Sequence, residues 1–230
     1  MEGLVALVGS GEYLPTMRPL EQQLLENRPP RFVQIATAAV PDGEERLAYW
    51  HELGRTQAEA LGVTCVIATV MNRDEANDPQ FADLVQGAGL IYLSGGHPGF
   101  LADVLRDTLL WRNIVAEWHR GTSLAGCSAG AMALCSWVPS LRHPFDSGVR
   151  GLGLFPALRV IPHFDAFYHR VPSIVDRFIH GKDESVSLLG IDEETAIVGG
   201  PQTWRVEGRG SAWRLDGDRV EFPTGTTLSL

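Results

Sequence analysis

Short, nearly continuous apolar runs alternate with longer stretches of helical periodicity through the first two-thirds of the chain. Leu4 to Val8, Arg31 to Ala36, Val63 to Ala68, Leu90 to Leu93 and Ser123 to Ala125 read as strands. Between them, Leu20 to Glu26, Glu44 to Leu61, Phe100 to Leu105 and Leu110 to His119 read as helices, with a polar helical patch through Asp83-Leu84-Val85. This βαβα order predicts an α/β fold: a doubly wound, mostly parallel sheet of flavodoxin-like type with helices on both faces. Chemistry on such a sheet lies outside the carboxyl ends of the strands.

The texture changes after residue 136. Trp137 to Leu152 mixes Pro, Arg, His, Asp and Gly without periodicity and reads as a loop near the site. Val160-Ile161-Pro162-His163-Phe164 looks like a strand end. Tyr168 to Ile179 follows as a helix, with Val171, Ile174, Val175 and Phe178 at helical spacing. Ser187 to Ile191, Thr195 to Val198, Thr203 to Val206 and Ala212 to Leu215 are short β-rich segments broken by turn residues, which suggests a terminal antiparallel meander. We read residues 1–230 as one domain whose last part, 185–230, is a β-rich extension.

The candidate chemistry centres on Gly126-Cys127-Ser128-Ala129-Gly130, set between a strand and a helix. A Gly-x-Ser-x-Gly turn there reads as a nucleophile elbow, which lets the backbone pass sharply under the serine and lifts its hydroxyl to the top of the sheet. A serine needs a base, because its hydroxyl is a poor nucleophile at neutral pH. Of seven histidines, His163 stands at a strand end before a new helix, where a doubly wound sheet presents functional side chains. For the orienting acid, Asp146 precedes His163 in the Ser, Asp, His order of elbow hydrolases, and Asp165, two residues from His163, is its rival. The small-residue turn Ser94-Gly95-Gly96-His97 permits close backbone approach, making Gly96 and Ala129 the candidate oxyanion donors. His97 at that turn is a candidate pocket residue.

Composition narrows the partners. The chain has 230 residues, 44% hydrophobic and 20% charged, enough for a substantial core without disulfides or metal clips. Its net charge of -9 disfavours nucleic acid and anionic membranes. The three cysteines, Cys65, Cys127 and Cys135, lack paired spacing, and the N-terminus has no basic signal-peptide region, so a cytoplasmic location is expected. Gly9-Ser10-Gly11 lacks the third glycine of a dinucleotide fingerprint, since Leu14 stands there; there is no Walker loop, and His51-Glu52 lacks the second histidine of a zinc helix. Neither cofactor nor metal is implied. A small molecule or peptide is the expected partner, with a homodimer among the assemblies open to the chain.

Four segments together resemble the S51 serine peptidases, the family of aspartyl dipeptidase (peptidase E) and cyanophycinase, which has a class I glutamine amidotransferase-like fold. They are Val8-Gly9-Ser10-Gly11-Glu12, Leu93-Ser94-Gly95-Gly96, Gly126-Cys127-Ser128-Ala129-Gly130-Ala131, and Leu152-Gly153-Leu154-Phe155-Pro156 leading to Ile161-Pro162-His163-Phe164. The resemblance implies Ser128 as nucleophile, His163 as base, and Gly96 and Ala129 as the oxyanion hole. It implies a serine exopeptidase that cleaves short peptides with an aspartyl residue at the scissile bond through an acyl-enzyme. A cyanophycinase-like hydrolase of β-aspartyl-arginine or other isoaspartyl peptides is the near alternative, favoured by Gly190-Ile191-Asp192-Glu193-Glu194-Thr195-Ala196. An aspartyl carboxylate calls for a cation, and Arg170, after His163, is the first candidate. His97 departs from the Asn common after the Gly-Gly pair of peptidase E-like sequences. A glutamine amidotransferase-like module without catalysis, and a thiol reaction at Cys127, are the readings of other classes.

Overall fold

The computed structural model describes residues 2–139, 148–166, 185–200 and 202–229. The helix expected over Tyr168 to Ile179 lies outside them. In chain order the first elements are β1 (Val5–Val8), α1 (Arg18–Leu25), β2 (Arg31–Ile35), a 3-10 turn (Thr37–Asp42), α2 (Glu44–Leu61) and β3 (Thr64–Ile67). Short helices α3 (Arg73–Asn77) and α4 (Pro79–Ala82) lead to β4 (Leu90–Leu93), α5 (Pro98–Leu105), α6 (Leu109–His119), β5 (Ser123–Cys127) and α7 (Ala129–Leu134). The named strands that follow are β6 (Trp137–Val138), β7 (Val149–Arg150), β8 (Leu158–Ile161), β9 (Ser187–Ile191), β10 (Thr195–Gly199), β11 (Thr203–Gly208), β12 (Ser211–Arg214), β13 (Val220–Pro223) and β14 (Thr227–Ser229).

The large sheet runs β14-β11-β10-β1-β5-β4-β2-β3. Its five strands from β1 to β3 are parallel, and β10, β11 and β14 continue it antiparallel from the β1 edge. Strands β1, β4 and β5 are buried along their whole length. Their apolar runs are unbroken because helices cover both faces of the sheet. The pleat sorts the side chains: Val5, Leu7, Ile91 and Leu124 pack into one core layer, and Ala6, Val8, Tyr92 and Cys127 into the other. The protein is thus an α/β doubly wound mixed sheet with helices on both faces. Local chemistry sets several helix boundaries. Pro98 opens α5, Thr108 caps α6 by accepting from the Trp111 N–H at 3.3 Å, and Gly62 closes α2 in the left-handed region at φ 69°.

The C-terminal strands depart from the expected single meander. They divide between two sheets, because β9, β12 and β13 leave the large sheet and join β8 in a four-stranded sheet of order β13-β12-β9-β8. The division falls at Glu194, whose φ of 51° turns the chain between β9 and β10. The β-rich segment is therefore built into the large sheet as well as beside it. The stretch expected as loop from Trp137 carries a small ladder, β6 with β7, at its ends. Among the described residues, no helix is long and apolar enough to cross a membrane.

Candidate active site

The loops after β1, β2, β4 and β5 meet at the carboxyl edge of the parallel strands, where they line a cleft of about 500 Å³. Ser128 stands at its base. The residue has φ 49° and ψ -104°, a conformation that a non-glycine residue holds only under constraint from its surroundings. That constraint is local and specific. The Ser128 N–H donates to the Val8 carbonyl at 2.9 Å, and the Met132 N–H donates to the Ser128 carbonyl at 3.1 Å. A Cβ on Gly126 would lie 2.6 Å from the Gly130 carbonyl carbon, and one on Gly130 would lie 2.3 Å from the Leu93 carbonyl oxygen. Only glycine at both places lets α7 fold back over β5 and against β4.

His163 reaches Ser128 from the second sheet. Its Nε2 lies 3.1 Å from Ser128 Oγ, and its Nδ1 lies 2.8 Å from Glu193 Oε1. Parallel pairing of β8 with β9 sets Ile161 opposite Gly190, so the residues just beyond both strand ends, His163 and the Asp192-Glu193 turn, emerge side by side. Asp165 stands one step behind, where its Oδ1 accepts the Glu193 N–H at 3.0 Å. Asp146 and Arg170 lie outside the described residues. Among the described residues, the carboxylate at His163 Nδ1 is Glu193, which comes after the histidine in the chain.

The turn after β4 faces the elbow. Gly96 has φ 139°, and a Cβ there would lie 2.3 Å from the Ala38 carbonyl oxygen, so the turn is held tightly against the 3-10 segment. Among the described residues, the Gly96 N–H has no hydrogen-bond acceptor. The Ala129 N–H is the first of α7, one of the donors that a helix leaves without an internal partner. His97 follows this turn, with Nε2 2.6 Å from Asp42 Oδ1. Asp42 lines the cleft.

Cys127 belongs to the core. It is wholly buried, and its thiol donates to Glu12 Oε2 at 2.7 Å. Burial and then the Glu12 charge push its pKa well above the ordinary thiol value, which disfavours the nucleophilic thiolate.

The opposite wall of the cleft comes from α2. Arg46, Tyr49, Trp50 and Leu53 line it, together with Leu14 from the β1 loop. The Arg46 guanidinium lies 5.0 Å from the Tyr49 ring centroid and 5.2 Å from that of Trp50. Sequence patterning did not single out Arg46 or Glu193. Arg46 occupies the polar side of an amphipathic helix, where arginines are common, and Glu193 is one of three consecutive acids in a turn. A hollow of similar volume, about 510 Å³, lies at the amino ends of β2 and β3 among Gln22, Arg28 and Leu61, but no nucleophile and base line it. Among the described residues, no group of three or more His, Cys, Asp or Glu side chains could hold a metal ion.

The architecture and its relatives define a hydrolase, specifically a peptidase. The model of peptidase family S51 matches residues 4–205. The chain belongs to family S51, whose hydrolases act on short peptides. A crystal structure of a peptidase from an acI-B1 Actinobacterium is 40% identical, with a TM-score of 0.92 over 100% of this chain and 98% of that one. A candidate peptidase E from Listeria monocytogenes EGD-e, 18% identical, shares the fold with a TM-score of 0.59 over 98% of this chain and 100% of that one. No curated protein gives a significant match.

Proposed function

We propose that the protein is a serine exopeptidase that hydrolyses short peptides with an aspartyl residue at the cleaved bond. Ser128 is the nucleophile, His163 the base, Glu193 the acid that orients it, and the Gly96 and Ala129 N–H groups the oxyanion donors. The observation that carries this reading is the continuous contact from Ser128 Oγ to His163 Nε2 at 3.1 Å and from His163 Nδ1 to Glu193 Oε1 at 2.8 Å. Each bond has a role. His163 takes the Ser128 proton as Oγ attacks the scissile carbonyl, and Glu193 holds the imidazole in the tautomer with its proton on Nδ1. The tetrahedral oxyanion meets the two backbone donors as it forms. Collapse breaks the C–N bond, with His163 protonating the leaving amine. A water, deprotonated by His163, then releases the acyl group.

Arg46 supports the acidic preference. Stacking on Tyr49 and Trp50 holds the guanidinium plane while leaving its edge donors for a carboxylate. A non-catalytic binding module is disfavoured by the same 3.1 Å contact, since such a module has no need for a serine held in strain against a histidine. We also take the whole chain as one folding unit, because β10, β11 and β14 extend the sheet begun by β1. Its three cysteines are unpaired, which suits a reducing, cytoplasmic setting.

The test measures amino-acid release from Asp-X dipeptides and from β-Asp-Arg, with the wild type and Ser128→Ala. Release from Asp-X by the wild type, lost in the variant together with labelling by a fluorophosphonate, is expected. Undiminished activity of Ser128→Ala would overturn the mechanism, and release from β-Asp-Arg alone would move the substrate to the isoaspartyl class.

A further inference from the structure

We propose that Glu12 is a positioning residue that keeps the two oxyanion-forming turns in register, and that the Val8 to Glu12 segment is where the separate parts of the site are tied together. The proposal rests on the catalytic reading above. That segment follows β1, whose neighbours in the sheet are β5 on one side and β10 on the other. Its bonds reach every part of the site. The Val8 carbonyl accepts the Ser128 N–H at 2.9 Å, and the Gly9 carbonyl accepts the His163 N–H at 3.3 Å. A Cβ on Gly9 would lie 2.1 Å from the Asp192 carbonyl oxygen, so only glycine allows the end of β1 to meet the turn that carries Glu193.

Glu12 completes the junction with its side chain. Its Oε1 accepts the Gly95 N–H at 2.8 Å, and its Oε2 accepts the Cys127 thiol at 2.7 Å. One carboxylate therefore grips the residue before Gly96 and the residue before Ser128. The three are immediate neighbours: a Cβ on Gly95 would lie 2.8 Å from Glu12 Oε1 and 3.6 Å from Ser128 Cβ. The side chain is buried, with 8% of its surface exposed. Burial of a carboxylate is unfavourable, and a well-packed apolar residue serves stability at least as well. Charge-assisted bonds are short and directional, so what Glu12 supplies in return is a defined separation between the two turns. An oxyanion hole depends on that separation, because its donors act on the transition state only from the correct distance.

The experiment compares Glu12→Ala and Glu12→Gln with the wild-type full chain. It measures kcat and KM on the best Asp-X substrate, affinity for a short peptide aldehyde, affinity for free aspartate, and the unfolding midpoint. The aldehyde reports the oxyanion hole, since Oγ adds to its carbonyl carbon and the carbonyl oxygen becomes the adduct oxygen. For Glu12→Ala we expect kcat to fall by about 10- to 100-fold with KM changed by less than about threefold, as for a small misplacement of catalytic groups. Aldehyde affinity should fall by the same factor, and aspartate affinity should hold. Glu12→Gln keeps an acceptor for the Gly95 N–H, so it should recover part of the loss. Where Glu12→Ala fails to fold, Glu12→Gln and Cys127→Ala carry the test with the same readouts. Equal weakening of aldehyde and aspartate, or wild-type kcat in a folded variant, would overturn the positioning role. A wild type that resists fluorophosphonate labelling would overturn the catalytic reading itself.

Discussion

Removal of the Glu193 carboxylate tests the most specific part of the proposed mechanism. When His163 takes the Ser128 proton, an imidazolium forms beside Glu193, with Nδ1 and Oε1 2.8 Å apart. Charge centres about 4 Å apart interact by ~1 kcal/mol in water and ~4 kcal/mol at the effective dielectric of a protein surface. The Glu193 side chain is 46% exposed and that of His163 30% exposed, so solvent screening places the pair toward the lower end, at about 1–2 kcal/mol. Glu193→Ala should therefore lower kcat by about 5- to 30-fold, with KM little changed. Glu193→Gln keeps an acceptor for the Nδ1 proton but loses the charge, and should fall between alanine and wild type. Asp165→Asn removes only the carboxylate charge behind the Glu193 N–H and should have a smaller effect than either. Steady-state kinetics on an Asp-X dipeptide, with unfolding midpoints as the control for folding, decides the matter. Wild-type kcat in Glu193→Ala, with the loss appearing in Asp146→Asn instead, would refute the assignment.

Two further outcomes follow from the structure. Arg46→Met should raise KM for Asp-X about tenfold or more while leaving kcat nearly constant, and should narrow the preference over Asn-X; equal discrimination in the variant would exclude Arg46 as the reader of the acidic group. Glu21 is buried between α1 and α2 against Gln57, and burial raises its pKa from 4.5 to about 7. The folded state therefore holds this proton more tightly than the unfolded chain, so the associated stability is present below about pH 4.5 and is lost as pH rises through 7, by about 3 kcal/mol in all. Glu21→Gln should flatten that decline in denaturant titrations between pH 5 and 8.5, and parallel curves for variant and wild type would contradict it.

Much of the fold was legible because it is encoded locally. The apolar runs at Val5–Val8, Leu90–Leu93 and Ser123–Cys127 identify buried parallel strands without knowledge of their neighbours. Glu44–Leu61 ends at Gly62 because the left-handed closing residue is written in the chain. Family S51 was legible for a related reason, since its motifs are runs of small residues at strand ends, where backbone approach leaves no room for others. Periodicity could not divide the C-terminal strands between two sheets. Alternation in β9 or β12 records that a strand has two faces, not which strand lies beside it.

The same boundary runs through the candidate site. By itself the sequence determined that Ser128 stands in a glycine-flanked turn between strand and helix and that His163 ends a strand, because both depend on conformations that neighbouring residues dictate. Only the tertiary structure decided that Glu193 lies at His163 Nδ1, that Arg46 lines the cleft, and that Glu12 joins the Gly95 turn to the elbow at Cys127. These groups are brought together by strand pairings across 30 to more than 100 residues, and the register of such pairings is set by packing of the whole sheet rather than by any segment within it.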